Sequence, residues 1–63
     1  MSKEEIIEEI ASYPLSYSLF RGLLKDGKWD KEKLSFMEIH ELKEYLRDIK
    51  TFERNKKLLN GNN

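Results

Sequence analysis

The chain contains no cysteine in its 63 residues, and this feature constrains its fold more than any other. Very small domains usually depend on disulfides or a bound metal, because their apolar cores are small. Without cysteine, both disulfides and thiolate metal sites are excluded. We therefore expect a single domain over residues 1–59, held together by one apolar core.

The composition favours helices and a soluble protein. Leucine and isoleucine are common, whereas valine is absent and threonine occurs once, which disfavours strands. Apolar runs are at most two residues long, so no segment resembles a membrane span. The first residues also lack the apolar stretch of a signal peptide. We therefore expect a cytoplasmic protein with no membrane partner.

Two capping boxes predict where helices begin. In each, a serine is followed three residues later by a glutamate: Ser2 with Glu5, and Ser35 with Glu38. Apolar residues at helical spacing follow both boxes. We therefore predict helices over about residues 2–11 and 35–57. A polar, frayed and disordered tail is predicted over residues 60–63.

The segment between these helices has two interpretations. After Pro14, leucines recur every four residues, at Leu15, Leu19 and Leu23. This spacing predicts a helix over about residues 14–26, the most buried of the three. The alternative is a β-hairpin over Tyr17 to Phe36 that turns at Asp26-Gly27, a dipeptide typical of hairpin turns. We favour the helix, because Leu23-Leu24 breaks the alternation of a strand. The predicted fold class is all-α, a small bundle of three antiparallel helices.

Residue patterns typical of catalysis are scarce. The sequence has one histidine, no thiol, and no glycine-rich phosphate loop or nucleophile motif. His40 and Glu44 lie one helical turn apart, but a metal site needs three or four ligands. We predict no catalytic, cofactor-binding or metal-binding residues and no small-molecule substrate. The protein is expected not to be an enzyme.

Charges segregate along the third predicted helix, although twelve basic and twelve acidic residues give a formal net charge of zero. A basic stripe is formed by four cations: Lys43, Arg47, Lys50 and Arg54. Residues 1–9 instead carry four glutamates and one lysine. Two interpretations stay open. The stripe contacts an acidic partner, such as a nucleic-acid backbone or an acidic protein surface, or it pairs with the acidic first helix inside the fold.

Aromatic residues are more numerous than three short helices can bury, seven in all. Several lie near the ends of predicted helices, as does Met37, and an exposed patch of this kind indicates a protein-binding or homodimer surface. Together with the basic stripe they form the predicted partner-binding set: Tyr13, Tyr17, Trp29, Met37, Lys43, Arg47, Lys50 and Arg54.

The segment 41–46, which follows the Asp26-Gly27 turn, resembles short accessory proteins of phage particles, such as head-tail connectors and tail-assembly chaperones. The resemblance covers about a third of the chain. It implies assembly through protein contacts, without catalysis. The leading hypothesis is therefore a small adaptor, inhibitor or assembly factor that binds another protein or a second copy of itself. The alternative is a nucleic-acid-binding regulator that uses the basic stripe.

Overall fold

The computed structural model describes residues 2–20 and 22–61, without the side chains of residues 20 and 58–61. The elements, in chain order, are α1 (Lys3–Ala11), a 3-10 helix (Leu15–Phe20), β1 (Leu24–Lys25), β2 (Lys28–Trp29), α2 (Lys31–Phe36) and α3 (Ile39–Gly61). The prediction of a mainly helical chain is confirmed. A short two-stranded sheet lies between the helices in addition.

The first capping box forms as predicted. The Glu5 backbone N–H donates to the Ser2 hydroxyl at 3.2 Å, and the Ser2 backbone N–H donates to the Glu5 carboxylate at 2.9 Å. These bonds satisfy two amides that a helix start leaves unpaired. The apolar stripe of α1 is buried throughout, at Ile6, Ile7 and Ile10. The predicted helix over 2–11 is therefore confirmed as α1.

The predicted α-helix over residues 14–26 is wrong. Of the described residues 14–20 and 22–26, Leu15–Phe20 are helical, and they form a 3-10 helix. Because such a helix has three residues per turn, leucines four positions apart do not share one face. Leu15 and Leu19 are consequently exposed, whereas Tyr17 is buried. The segment expected to be the most buried helix instead presents two of its leucines to solvent.

The alternative hairpin is present in a short form. β1 and β2 pair antiparallel, with Leu24 opposite Trp29 and Lys25 opposite Lys28. Asp26 and Gly27 have φ angles of 53° and 75°, the two consecutive positive values that a type I′ turn requires. Residues 24 and 25 therefore belong to a strand. Turn geometry has overridden the four-residue leucine repeat.

The second predicted capping box does not form, because Ser35 already lies inside α2. Asp30 caps the start of α2 instead, where its carboxylate accepts from the Lys33 backbone N–H at 3.1 Å. Met37 has extended backbone (φ −76°, ψ 148°) and ends this short helix. The stretch Lys28 to Leu34, predicted as a connection, therefore includes the beginning of a helix.

The predicted helix over 35–57 is consequently split, and its main part is α3. The Glu38 backbone N–H donates to the Glu41 carboxylate at 3.1 Å. A glutamate therefore accepts a hydrogen bond at the start of α3, but it is Glu41 and not the predicted Glu38. α3 continues to Gly61, beyond the predicted end. Of the predicted tail, residues 62–63 lie outside the described residues.

Polar contacts show the relative directions of the three α-helices. These contacts join Lys31 Nζ to Glu8 Oε1 at 2.9 Å, Lys3 Nζ to the Ser35 carbonyl at 2.5 Å, and Lys50 Nζ to Glu9 Oε2 at 2.8 Å. The first two make α2 antiparallel to α1. The start of α1 thus lies beside the end of α2, close to the point where α3 begins. The end of α1 lies beside the middle of α3. α1 and α3 therefore run in the same direction, with α2 antiparallel between them. This is the alternation expected of three consecutive antiparallel helices, but the middle α-helix is Lys31–Phe36 and not the predicted 14–26.

One apolar core joins all of these segments. Its buried side chains are Ile6, Ile7, Ile10, Tyr17, Leu23, Leu34, Leu42, Tyr45, Leu46 and Ile49. Tyr13, Trp29 and Met37 pack against it while partly exposed. Among the described residues, no helix is both long and apolar enough to cross a membrane.

Gly22 distinguishes the observed backbone from the predicted helix. It has a φ of +63°, and a Cβ built there meets nothing within 4 Å, so only backbone strain opposes a side chain. We expect Gly22→Ala to destabilise the protein by about 1–2 kcal/mol in urea unfolding, because a left-handed conformation penalises L-residues. Within a helix, the same change would stabilise the protein by about 1 kcal/mol.

The matched control is D-alanine at position 22, which chemical synthesis of so short a chain allows. A D-residue favours positive φ, so this variant should be at least as stable as the parent. A Gly22→Ala protein more stable than the parent would contradict the backbone described here.

Candidate protein-contact surface

Tyr13 lies where α1 ends and the chain turns towards the 3-10 helix. Its ring packs edge-on against that of Tyr17, with centroids 6.4 Å apart and planes at 85°, a favourable arrangement for aromatic pairs. Its carbonyl accepts a hydrogen bond from the Trp29 indole N–H at 3.0 Å. Pro14 follows directly and prevents α1 from continuing. Tyr13 is thereby held at the surface, partly exposed.

Trp29 is positioned by the hairpin. The type I′ turn folds β2 back on β1, which brings the indole to the Tyr13 carbonyl and against Tyr45, with ring centroids 6.2 Å apart. Trp29 stays partly exposed although its N–H is satisfied. A large side chain of this kind supplies rigid contact area at a protein interface.

Two open grooves meet at Tyr13. The hairpin groove, of about 760 Å³, runs from the end of α1 along Tyr13, Pro14 and Leu15 to the hairpin at Lys28 and Trp29. The helix groove, of about 310 Å³, lies between Tyr13 and one face of α3, and its other lining residues are Lys50, Glu53, Arg54 and Lys57. Tyr13 therefore lines both depressions, one that mixes apolar with charged residues and one whose other lining residues are all charged.

Of the eight predicted partner-binding residues, the structure brings four to these grooves: Tyr13, Trp29, Lys50 and Arg54. Tyr17 is buried, so its ring supports the surface from below. Met37 packs on the core between α2 and α3 and lines neither groove. Lys43 and Arg47 are exposed on α3, but they also lie outside the two linings.

Several groove residues were not among those predicted. Pro14 and Leu15 were read as the beginning of a buried helix, and Leu15 is instead 41% exposed. Lys28 reaches the groove because the turn at Asp26-Gly27 reverses the chain. The hairpin turn that Asp26-Gly27 favours is the sequence feature that predicts the position of Lys28. A hairpin there also excludes the helix over 14–26 that would have buried Leu15.

The basic stripe is only partly neutralised within the fold. Lys50 pairs with Glu9 of α1, and this hydrogen bond raises the pKa of Lys50 above its ordinary value, with the glutamate charge adding to the effect. Among the described residues, no ion pair within 4.0 Å involves Lys43, Arg47 or Arg54. Intramolecular pairing with α1 therefore accounts for one member of the stripe.

Metal-binding geometry does not appear in this part of the molecule or elsewhere among the described residues. No group of three or more His, Asp or Glu side chains is placed to hold a metal ion there. His40 is exposed on the first turn of α3, near Glu44 in sequence but without a third ligand.

The chain matches no protein-family model, no curated protein and no solved structure. Its resemblance to phage accessory proteins therefore stays a prediction, as does its non-catalytic role.

The hydroxyl of Tyr17 ties the 3-10 helix to α3. It donates to the Glu53 carboxylate at 2.9 Å, and the Tyr17 carbonyl accepts from the Tyr45 hydroxyl. Burial raises the pKa of Tyr17, and the hydrogen bond and negative charge of Glu53 raise it further. Each of these effects favours the neutral phenol in the folded state.

The raised pKa of Tyr17 predicts a loss of stability in alkali. The stabilisation is fully present below the ordinary tyrosine pKa of about 10 and is lost as pH rises through the higher pKa of the folded state. We expect Tyr17→Phe to be less stable than the parent at neutral pH, and the difference to shrink above pH of about 10. Urea unfolding at stepped pH measures this difference.

Tyr13→Phe is the control, since it removes a phenol without removing the bond to Glu53. All other ionisable groups are common to the three proteins, so the comparison isolates the two phenols. A Tyr17→Phe deficit that stays constant to the highest pH would contradict the proposed cause.

Proposed function

We propose that this protein is a small non-catalytic adaptor, inhibitor or assembly factor that acts in the cytoplasm by binding another protein through the hairpin groove. The observation that carries the proposal is the hairpin groove itself, in which Tyr13, Pro14, Leu15 and Trp29 stay accessible in an open depression. Interfaces are typically anchored by aromatic and apolar side chains of this kind, surrounded by a charged rim.

The rigidity of the groove supports the proposal. Trp29 is fixed by its bond to the Tyr13 carbonyl and by the Tyr45 ring, and Tyr13 is fixed by Tyr17. A preformed surface loses little conformational entropy on binding, which favours affinity. The cations at its rim, Lys28 and Lys31, add orientation by charge.

Leu15 and Leu19 provide a matched pair of variants that test the proposal. Both lie in the 3-10 helix and both are exposed, but only Leu15 lines the hairpin groove. We expect Leu15→Asp to reduce capture of the partner from a lysate of the source cells by about tenfold or more, the effect of a hot-spot residue. Leu19→Asp should retain capture.

Circular dichroism of both variants checks that the fold is kept, and size exclusion with light scattering shows whether the partner is a second copy of the chain. A strictly monomeric protein that captures no partner would overturn the proposal. So would a partner captured equally well by Leu15→Asp.

A nucleic-acid-binding regulator is the second candidate, and it is favoured by the three cations of the basic stripe that take part in no described ion pair. Lys43, Arg47 and Arg54 lie along one face of α3. If each contacts one phosphate, the logarithm of affinity should fall against the logarithm of salt concentration with a slope of about −2 to −3.

Fluorescence anisotropy with labelled single- and double-stranded DNA measures this slope. We expect the triple variant Lys43→Gln, Arg47→Gln and Arg54→Gln to abolish such binding, whereas Lys28→Gln should leave it unchanged. Absence of binding at low ionic strength would exclude this second candidate.

A further inference from the structure

The hairpin groove and the helix groove share Tyr13, so a bound chain can pass from one to the other over its ring. The hairpin groove offers the apolar surface of Pro14 and Leu15. The helix groove lies between Tyr13 and the face of α3 that carries Arg54 and Lys57. An extended segment lying across Tyr13 would therefore contact an apolar wall first and a basic face next.

The charges around this path are not balanced. Glu8 and Glu9 are each engaged by a lysine, Lys31 and Lys50 respectively. The carboxylate of Glu53 accepts the Tyr17 hydroxyl. In contrast, no ion pair found among the described residues involves the three remaining cations: Lys28, Arg54 and Lys57. The phenol leaves the charge of Glu53 in place, so the path has one unpaired cation at the hairpin end and two cations against one carboxylate at the α3 end.

We propose that the two grooves bind an extended acidic segment of a partner protein. An apolar side chain of that segment rests on the Tyr13–Pro14–Leu15 wall. Its carboxylates, one on each side, meet Lys28 at one end and Arg54 with Lys57 at the other. This inference rests on the proposed function and specifies the chemistry of the partner.

Charge complementarity favours a peptide over a nucleic acid as the occupant. The helix groove contains the carboxylate of Glu53, which no described cation pairs with, and its charge would repel a strand that carries a phosphate at every nucleotide. A peptide can place its few carboxylates at the cations alone. The zero net charge of the chain also provides no long-range attraction for a polyanion.

Trp29 provides a specific probe, since the chain has one tryptophan and its indole N–H lies at the junction of the grooves. We would titrate isotope-labelled protein with a synthetic hexapeptide in which a central Leu-Phe pair is flanked by Asp and Glu on both sides. The expected result is a saturable shift of the Trp29 indole resonance that weakens with salt. The Asn/Gln version of the peptide should give none.

Arg54→Ala and Lys57→Ala should each lower the affinity for the acidic peptide by about two- to fivefold, the range for an exposed charge contact. Lys43→Ala is the matched control. It removes a cation of the same helix about 16 Å from Arg54 along the axis, and it should leave affinity unchanged. Equal binding of the Asn/Gln peptide, or an equal effect of Lys43→Ala, would overturn the inference.

Two other occupants are tested in the same experiment. If oligothymidylate shifts the Trp29 resonance, and if Arg54→Ala weakens its binding, the occupant is a nucleic acid and the inference is overturned. Shifts that grow with protein concentration in the absence of any peptide would identify it as a second copy, with the same consequence.

Failure of this inference is distinguishable from failure of the proposed function. If capture of the cellular partner depends on Leu15 but is unchanged in the Arg54→Ala, Lys57→Ala double variant, the proposed function stands and the acidic chemistry is wrong. If capture does not depend on Leu15, the proposed function itself is wrong.

Discussion

The hydrogen bond from the Trp29 indole to the Tyr13 carbonyl is the interaction on which the surface of this protein depends. An isolated two-stranded hairpin is at best marginally stable in water, and each strand here has only two residues. Trp29 fastens the hairpin to the end of α1 by this bond and to α3 through the Tyr45 ring. Tyr45 in turn donates to the Tyr17 carbonyl and so holds the 3-10 helix. One indole thus connects three segments, and Tyr45 adds the 3-10 helix as the fourth, in a chain that has no disulfide.

The parts of the fold that the sequence predicts well are those in which local signals agree. Around α1, the capping box and the isoleucine stripe indicate the same helix. Residues 14–26 carry signals that conflict: a leucine repeat of period four against a glycine at position 22 and the Asp26-Gly27 turn. The repeat favours an α-helix, but the positive φ angles at Gly22, Asp26 and Gly27 determine the path of the chain. Backbone conformations available to few residue types therefore outweigh an apolar spacing.

Helix starts were misplaced for a related reason. Ser35 and Glu38 have the spacing of a capping box, but a capping serine must itself lie outside the helix. Asp30, placed before Lys31, caps a shorter helix upstream and incorporates Ser35 into it. Capping signals compete when they occur close together, and their spacing alone does not reveal which forms. The alternating directions of α1, α2 and α3 are those of the predicted bundle, but the identity of the middle helix could not be predicted, because Asp30 begins it inside the stretch expected to be a connection.

The sequence predicts which types of residue form the candidate surface better than it predicts which individual residues lie on it. Tyr13 and Trp29 were identified from an excess of aromatics over available core. Their neighbours Leu15, Lys28 and Lys57 were not, because the 3-10 helix, the hairpin and the packing of α1 against α3 bring them into the same grooves as Tyr13. Met37 and Lys43 have suitable chemistry but lie elsewhere on the fold. Only tertiary structure selects which of several exposed apolar or basic residues share one surface.

The electrostatic character of the surface arises from which charges the fold pairs. An ion pair at the surface such as Lys50 with Glu9 contributes little to stability, because water screens the attraction and two long side chains lose freedom. Its effect on the helix groove is larger, because Lys50 is one of the lining cations and Glu9 offsets its charge, whereas Arg54 and Lys57 take part in no described ion pair. The Lys31–Glu8 pair acts in the same way at the hairpin. A chain with zero net charge thereby presents a locally basic groove.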